Sequence, residues 1–225
     1  MGAISNTTYT PQSRDSRMLS GPTSIPEQKV YVVDDDIVIR ILLEEVFNAA
    51  NLPVETYASA EEFLLAYDPN LRGCLVLDNL MPGMNGIELQ EVLAAHGNKA
   101  PVIFLTGAGD VSIAVRALKG GALDFLEKPV EPRRMLSCVT EALELDRKNQ
   151  QKHLEGLEAR QRMAQLTPRE YEVMEWLFQG KPNKAIAQIL GISSRTVEIH
   201  RKKVFEKIQV DSVADLVQLV LLARN

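Results

Sequence analysis

The sequence predicts an α/β domain built on a five-stranded parallel sheet, followed by an all-α domain of four short helices. Over residues 29–145, short apolar runs alternate with amphipathic stretches, which is the rhythm of βαβ units. Residues 166–225 instead carry helix caps and helix breakers at short intervals. The first segment has 9 Lys and Arg against 18 Asp and Glu, and the second has 9 against 7. An acidic and a mildly basic domain in one chain indicate different partners.

Strands and helices are expected to alternate five times in the first domain. The strands are predicted near residues 29–33, 53–57, 73–77, 101–105 and 122–126. The helices are predicted near residues 37–50, 59–67, 86–96, 110–119 and 131–145. Crossover helices of this kind cover both faces of a parallel sheet, and functional groups gather at the carboxyl ends of its strands.

Two segments lie outside this alternation. Residues 1–28 are rich in Ser, Thr, Pro, Gly and Gln without periodic apolar positions, which predicts a disordered tail. Residues 146–165 are polar and dense in helix-forming residues, which predicts a helical linker that extends the preceding helix. Gly156 weakens this interpretation because glycine disfavours a helix interior.

Cap and stop signals define the helices of the second domain. Thr167 can cap the first helix, with Pro168 at its first position and Glu170 as the capping-box partner. Gly180 is expected to end that helix. The later signals are, in chain order, a helix over residues 183–190, a turn at Gly191, a helix from its cap Ser193 to about Ile208, and a last helix that starts at Ser212 with Asp215.

Membrane and secreted classes are not favoured. The apolar stretch over residues 216–223 is too short to span a bilayer, and the first residues lack the charged-then-apolar pattern of a signal peptide. Cys74 and Cys138 lie in apolar surroundings, as reduced cysteines of a cytosolic protein do. A cytoplasmic location is therefore expected.

Polar groups follow four of the predicted strands. Residues 34–36 (Asp-Asp-Asp) close the first strand, Asp78 the third, Thr106 the fourth and Lys128 the fifth. Clustered carboxylates bind a hard cation such as Mg²⁺, and a lysine and a hydroxyl can contact phosphoryl oxygens. Each residue alone has a structural explanation, such as a helix cap or a turn. Their coincidence at one sheet edge predicts a phosphoryl-accepting site.

The spacing of Asp34-Asp35, Asp78, Thr106 and Lys128-Pro129 resembles the receiver domain of two-component response regulators, over about residues 29–145. The resemblance implies a flavodoxin-like fold with strand order 2-1-3-4-5. It implies that a sensor histidine kinase phosphorylates Asp78, and that the chain is not an enzyme beyond this self-phosphorylation. It also implies Mg²⁺ or Mn²⁺ held by Asp35, Asp78 and the backbone carbonyl of Leu80, with Asp34 acting through water.

The same resemblance implies a switch. Phe125 matches the aromatic residue that turns inward when Thr106 moves toward the phosphoryl group, although an ordinary core role for Phe125 stays open. The Lys128–Pro129 peptide bond is expected to be cis. Leu80 and Ala108 stand where some receivers place polar groups that orient the attacking water, so slow loss of the phosphoryl group is predicted.

A dimer face is implied as well, formed by the helix over residues 110–119 and the strand over residues 122–126. Oppositely charged side chains on this face can pair across subunits and fix the register of a dimer. Those expected to do so are Arg116, Lys119 and Asp124.

The second domain resembles a LuxR/FixJ-type helix-turn-helix along its whole length. The resemblance rests on Leu166-Thr-Pro-Arg-Glu, Gly180, Asn183-Lys184-Ala-Ile-Ala, Leu190-Gly-Ile-Ser193, Thr196-Val197, His200 and Lys207. With the receiver-like domain, the chain is similar to response regulators of the FixJ/LuxR (NarL) family. The implied partners are double-stranded promoter DNA, RNA polymerase and a second copy of the chain, with no membrane partner.

Helix periodicity assigns the faces of the recognition helix. Val197, Val204 and Ile208 form one stripe and should face the core. On the outward side, Lys202 is expected to read guanine, Ile199 a thymine methyl and Glu198 a cytosine amine. The expected phosphate contacts are Lys184, Arg195, Thr196, His200, Arg201 and Lys203.

Two other function classes share part of this residue pattern. Asp34-x-Asp36-x-Val38 after a strand also opens the motif of haloacid-dehalogenase-type phosphatases, but the acidic pair that they need after the lysine is missing, and Asp78 would have no role. The second is a binding protein that dimerises without phosphorylation. The intact acceptor site argues against it.

Overall fold

A computed structural model describes residues 27–107 and 111–224, without the side chains of residues 111–114. Residues 1–26 of the predicted tail, and Ala108, lie outside the described residues. The sheet consists of β1 (Lys29–Val33), β2 (Val54–Tyr57), β3 (Gly73–Asp78), β4 (Val102–Thr106) and β5 (Asp124–Glu127). All neighbouring pairs are parallel and the order is β2-β1-β3-β4-β5, which confirms the predicted fold.

Five helices follow the strands. They are α1 (Ile37–Ala49), α2 (Ala60–Ala66), α3 (Gly86–Ala95), α4 (Val111–Lys119) and α5 (Pro132–Met163). Successive residues of each strand point to opposite faces of the sheet, so the strands contribute side chains to two apolar clusters. Val76 and Leu105 pack with α1 and α5 in one cluster, and Leu77 and Phe104 pack in the other with residues of α2, α3 and α4. The strand ends are thereby fixed from both sides.

The helix α5 is continuous over 32 residues and passes through Gly156. Its first half contributes Met135 and Val139 to the first cluster. Its second half lies against the last helix of the chain, where a Cβ on Gly156 would stand 3.0 Å from the carbonyl oxygen of Leu222. Helix propensity alone disfavours glycine there, but the close approach of another backbone explains it.

The carboxyl-terminal helices are α6 (Pro168–Phe178), α7 (Asn183–Leu190), α8 (Ser194–Ile208) and α9 (Val213–Arg224). Thr167 and Glu170 form the predicted capping box, and Ser193 caps α8 by accepting from the N–H of Thr196. Gly180 and Gly191 have positive φ, as helix-ending glycines do. These helices and the end of α5 share a third apolar cluster that includes Ala159 and Met163.

A buried ion pair fixes α5 against the start of β3. The Nη2 of Arg72 lies 2.9 Å from the Oδ2 of Asp146, and both side chains are only 8% exposed. The same Oδ2 accepts a hydrogen bond from the N–H of Gly73 at 3.2 Å. Breaking a buried pair leaves an uncompensated charge, whereas exposed pairs contribute little.

Replacing Asp146 with Asn should therefore lower the free energy of unfolding by about 3 kcal/mol. Replacing Glu144 with Gln, which breaks the exposed ion pair with Arg147 one turn away, should cost less than about 1 kcal/mol. Urea denaturation followed by far-UV circular dichroism measures both effects. Equal losses of unfolding free energy in the two variants would show that the buried ion pair contributes no more to stability than the exposed one.

Candidate functional site

Three carboxylates meet at the carboxyl ends of β1 and β3. One oxygen each from Asp34, Asp35 and Asp78 lies within 4.8 Å of the others. Asp34 is fully buried, Asp78 is 5% exposed, and Asp35 faces solvent. The neighbouring Asp36 does not belong to this group, because its carboxylate caps α1 by accepting from the N–H of Val38 at 2.8 Å. The four aspartates named in the sequence thus divide into a cluster of three and one helix cap.

Asp34 is held by hydrogen bonds at each of its polar atoms. Its Oδ1 accepts from the N–H of Asp36 at 2.9 Å, and its Oδ2 accepts from the Nζ of Lys128 at 2.6 Å. Its backbone carbonyl accepts from the guanidinium of Arg40 at 2.6 Å. Sequence reasoning missed Arg40. Its place in the first turn of α1, directly after the acidic run, was a usable signal.

Lys128 provides positive charge at the centre of the cluster. Its Nζ lies 2.6 Å from Asp34 and 3.4 Å from Asp78. Burial lowers the pKa of Lys128, but the hydrogen bond and charge of Asp34, with Asp78, outweigh it and leave the pKa raised. Burial also raises the pKa of Asp78, and the nearby Lys128 offsets part of that rise. Lys128 thus carries a positive charge beside Asp78, whose carboxyl group is poorly solvated.

The donor set suits a divalent cation. The carboxylates of Asp34, Asp35 and Asp78 concentrate three negative charges, of which Lys128 balances one. Oxygen-only ligands of this kind fit Mg²⁺ or Mn²⁺. The backbone of Leu80, two residues past β3, acts to lower the pKa of Asp78, and the Leu80 side chain is 66% exposed. Its predicted role as a carbonyl ligand stays a prediction.

Thr106 and Phe125 lie on the neighbouring strands. Thr106 is 2% exposed, and its hydroxyl donates to the carbonyl of Gly107 at 3.1 Å. Phe125 is half-buried beside Phe104 and packs against the second apolar cluster. The Lys128–Pro129 peptide bond is cis, as expected. The hydroxyl of Thr106 is thus engaged with the backbone in this structure, and its predicted contact with a phosphoryl group requires it to turn.

The residues predicted for the dimer face make contacts within the chain. Arg116 lies 3.4 Å from Glu91 of α3, and both side chains are exposed. Asp124 pairs with Arg134 at 2.7 Å and accepts from the Sγ of Cys138 at 3.1 Å. Lys119, at the end of α4, is exposed. A cross-subunit role for the three predicted residues stays a prediction, and it requires at least Arg116 and Asp124 to exchange partners.

The helix α8 presents a charged outer face. Val197, Val204 and Ile208 are fully buried, as its periodicity predicts. Ile199 is 51% exposed, and the guanidinium of Arg201 stacks 5.1 Å above the ring of Phe205. His200 is half-buried, and its Nδ1 has no hydrogen-bond partner among the residues that the structure describes. The other predicted DNA contacts that face solvent fully are Lys184, Arg195, Glu198, Lys202 and Lys203, whereas Thr196 is half-buried.

An ion pair anchors α8 to α6. The Nζ of Lys207 lies 2.5 Å from the Oε2 of Glu170, whose other bonds cap α6. The hydrogen bond from Lys207 holds the pKa of Glu170 well below its usual range, at about 2. The sequence indicated Glu170 only as a cap, because its contact with Lys207 joins residues that are distant along the chain.

No helix within the described residues is both long and apolar enough to cross a membrane.

Comparison with known proteins assigns each domain separately. Residues 30–140 match the family described as "Response regulator receiver domain". Residues 164–220 match the family described as "Bacterial regulatory proteins, luxR family". The two matches correspond to the sheet with its helices and to the carboxyl-terminal helices.

Several proteins resemble the chain over both domains. Transcriptional regulatory protein FixJ of Azorhizobium caulinodans is 42% identical, over 90% of this chain and 94% of that protein. Nodulation protein W of Bradyrhizobium diazoefficiens is 40% identical, over 84% of each. Among solved structures, response regulator StyR has a TM-score of 0.74 at 41% identity, covering 87% of this chain and 98% of that one. Full-length FixJ from B. japonicum has a TM-score of 0.55 at 38% identity, covering 88% and 98%.

The assignment of Asp35 to the carboxylate cluster and of Asp36 to the cap of α1 can be tested. Replacing Asp35 with Asn removes one carboxylate of the cluster and should weaken Mg²⁺ binding by at least about tenfold. Replacing Asp36 with Asn is the matched control, since Asn caps helices as well as Asp and Asp36 lies outside the cluster. Isothermal titration calorimetry with Mg²⁺ measures both. Equal weakening in the two variants would contradict the assignment.

Proposed function

Because the chain belongs to the two-component response regulators that carry a LuxR-type DNA-binding domain, we propose that phosphorylation of Asp78 controls its regulation of transcription. A sensor histidine kinase is the phosphodonor, the phosphorylated chain dimerises, and the dimer binds promoter DNA. The observation that carries this proposal is the cluster of Asp34, Asp35 and Asp78 with Lys128 at one sheet edge.

The chemistry follows from these positions. An oxygen of Asp78 attacks the phosphorus of phosphohistidine, an O–P bond forms, the P–N bond breaks, and the electron pair leaves with the imidazole. A bound Mg²⁺ would supply positive charge that reduces the repulsion between the Asp78 carboxylate and the phosphoryl group. Lys128, 3.4 Å from Asp78, can pair with a phosphoryl oxygen while it remains close to Asp34. Positioning and neutralisation of this kind are most of what phosphoryl transfer requires.

The exposed face of α1 supports docking of a phosphodonor protein. Ile37, Val38, Ile41 and Leu42 are 55%, 66%, 51% and 44% exposed, and they follow directly on the acidic cluster. Contiguous exposed apolar side chains mark interaction surfaces. A kinase domain that covers them can bring its phosphohistidine to Asp78.

Phosphorylation then acts through a change of population. A phosphoryl group on Asp78 offers Thr106 an acceptor in place of the carbonyl of Gly107. Phe125 can fill the space that Thr106 leaves, since it already packs beside Phe104. Any ligand that binds one conformation better shifts the equilibrium toward it. The favoured conformation is the one whose α4 and β5 surface dimerises.

Dimerisation aligns two α8 helices on an imperfect two-fold DNA site. The exposed cations of α8 contact phosphates, and Ile199 and Lys202 reach base edges. RNA polymerase is the partner through which a dimer at a promoter changes transcription, and activation is the favoured direction. Leu80 offers an apolar side chain beside Asp78, so the phosphoryl group is expected to last long enough for this.

Phosphorylation at Asp78 is tested by gel filtration and by binding to DNA selected from a random library. Wild-type protein with Mg²⁺ and acetyl phosphate should dimerise and bind DNA at least about tenfold more tightly than without the phosphodonor. The Asp78→Asn variant should show neither response. A full response in that variant would favour a binding protein that dimerises without phosphorylation, and no response in wild type would overturn the mechanism.

The two kinds of DNA contact can be separated with adjacent lysines. The Lys202→Ala variant should lose about 1–3 kcal/mol of discrimination at one base pair. The Lys203→Ala variant should weaken binding to all sequences alike and reduce the slope of log affinity against log salt by about 1. Titrations of selected and single-substituted sites at several salt concentrations measure both. Identical behaviour of the two variants would contradict the assigned roles.

A further inference from the structure

We infer that Gln90 of α3 is a positioning residue that holds α4 in its unphosphorylated place and so sets the threshold for dimerisation. The inference rests on the proposed function, because it concerns the α4 and β5 surface that the proposal assigns to the dimer. It is carried by a buried amide that joins two helices, and by the exposure of most of the described side chains of α4, over residues 115–119.

Gln90 reaches from α3 to the end of α4. Its Nε2 donates to the carbonyl of Gly120 at 3.1 Å and to that of Ala117 at 3.4 Å. The residue is 5% exposed, and its Oε1 is buried without a hydrogen-bond partner among the described residues. A buried acceptor without a partner costs free energy. The two hydrogen bonds that the Nε2 donates hold the amide in this position although its Oε1 stays unpaired.

Gly120 is fitted to this contact. A Cβ built on Gly120 would lie 2.8 Å from the Oε1 of Gln90, which is closer than real Cβ contacts come. The lack of a side chain at Gly120 therefore lets the amide approach the end of α4. Two residues from different elements thus make the same contact possible, and each can be altered separately.

Few of the described side chains of α4, over residues 115–119, are buried. Of its described side chains, Ala117 is fully buried, whereas Val115 and Leu118 are 45% and 51% exposed and Arg116 and Lys119 face solvent. An element with few buried apolar contacts opens and shifts at low cost in free energy. The bonds from Gln90 therefore add to the burial of Ala117 in fixing the carboxyl end of α4.

The other end of α3 is tied to the phosphorylation site. The N–H of Gly86 donates to the carbonyl of Asn79 at 3.3 Å, and a Cβ on Gly86 would lie 2.3 Å from the carbonyl oxygen of Asp78. The helix that carries Gln90 thus begins against the backbone of the phosphoacceptor. A shift of α4 on phosphorylation has to break or stretch the contact of Gln90 with Gly120.

The test uses the full-length Gln90→Met variant, which keeps the size of the side chain and removes its hydrogen bonds. Without phosphodonor, amide hydrogen exchange over residues 115–120 should become about tenfold faster than in wild type. The dimer dissociation constant, from analytical ultracentrifugation, should fall at least about tenfold. With acetyl phosphate, the dimer dissociation constant of the variant should stay within about threefold of the wild-type value. The Gly120→Ala variant, which pushes the amide away, should behave in the same direction.

The Glu91→Gln variant is the matched control. It breaks the exposed α3–α4 ion pair with Arg116, and it should leave hydrogen exchange in α4 unchanged. Gln90→Met with unaltered exchange and unaltered dimerisation would overturn the inference, and so would the same faster exchange in Glu91→Gln. An equal change of the dimer dissociation constant with and without phosphodonor would also overturn it. Wild type that fails to dimerise on phosphorylation would overturn the proposed function instead, and the exchange measurement would still decide whether Gln90 holds α4.

Discussion

The structure of the proposed phosphorylation site depends on the burial of the Asp34 carboxylate and its pairing with Lys128. Asp34 closes β1 and Lys128 follows β5, and the ends of β3 and β4 lie between these strands in the sheet. A fully buried carboxylate is costly unless it is paired and hydrogen-bonded. Lys128 satisfies that need and is thereby held beside Asp78, which in the proposed function requires a cation when it accepts a phosphoryl group. One ion pair both closes the sheet edge and prepares the site.

The same pair suggests how the site would respond to the proposed phosphorylation. The cluster holds more negative than positive charge, so Asp78 and Asp34 compete for a single ammonium group. A phosphoryl group adds further negative charge at Asp78 and shifts that competition. The hydroxyl of Thr106, bonded to a backbone carbonyl, is a second group that can change partner. We therefore expect the proposed modification to change the partners of the Lys128 and Thr106 side chains.

Much of this was accessible from the sequence, because the signals were local. Helix caps and the grouping of Asp34, Asp35, Asp78 and Lys128 follow from apolar runs and from residues at strand ends, whereas the strand order followed from the resemblance to receiver domains. Contacts between distant residues were not accessible. Arg72 with Asp146 and Glu170 with Lys207 join elements whose packing has to be known first. Gly156 shows that helix propensity alone does not predict which residue occupies a helix position. The close approach of α9 to this residue explains the glycine, and that approach could not be predicted from the local sequence.

The helix α5 bears on how a change in the receiver reaches the DNA-binding domain. Met135, Cys138 and Val139 belong to the receiver core, and Ala159 belongs to the carboxyl-terminal core, on one uninterrupted helix. The buried Asp146, near its middle, is bonded to Arg72 and to the backbone of Gly73. A helix anchored in both cores cannot turn relative to the sheet without breaking these contacts. The proposed activation through the α4 and β5 surface would avoid that cost, because a dimer would bring two DNA-binding domains together while α5 keeps its contacts within each chain.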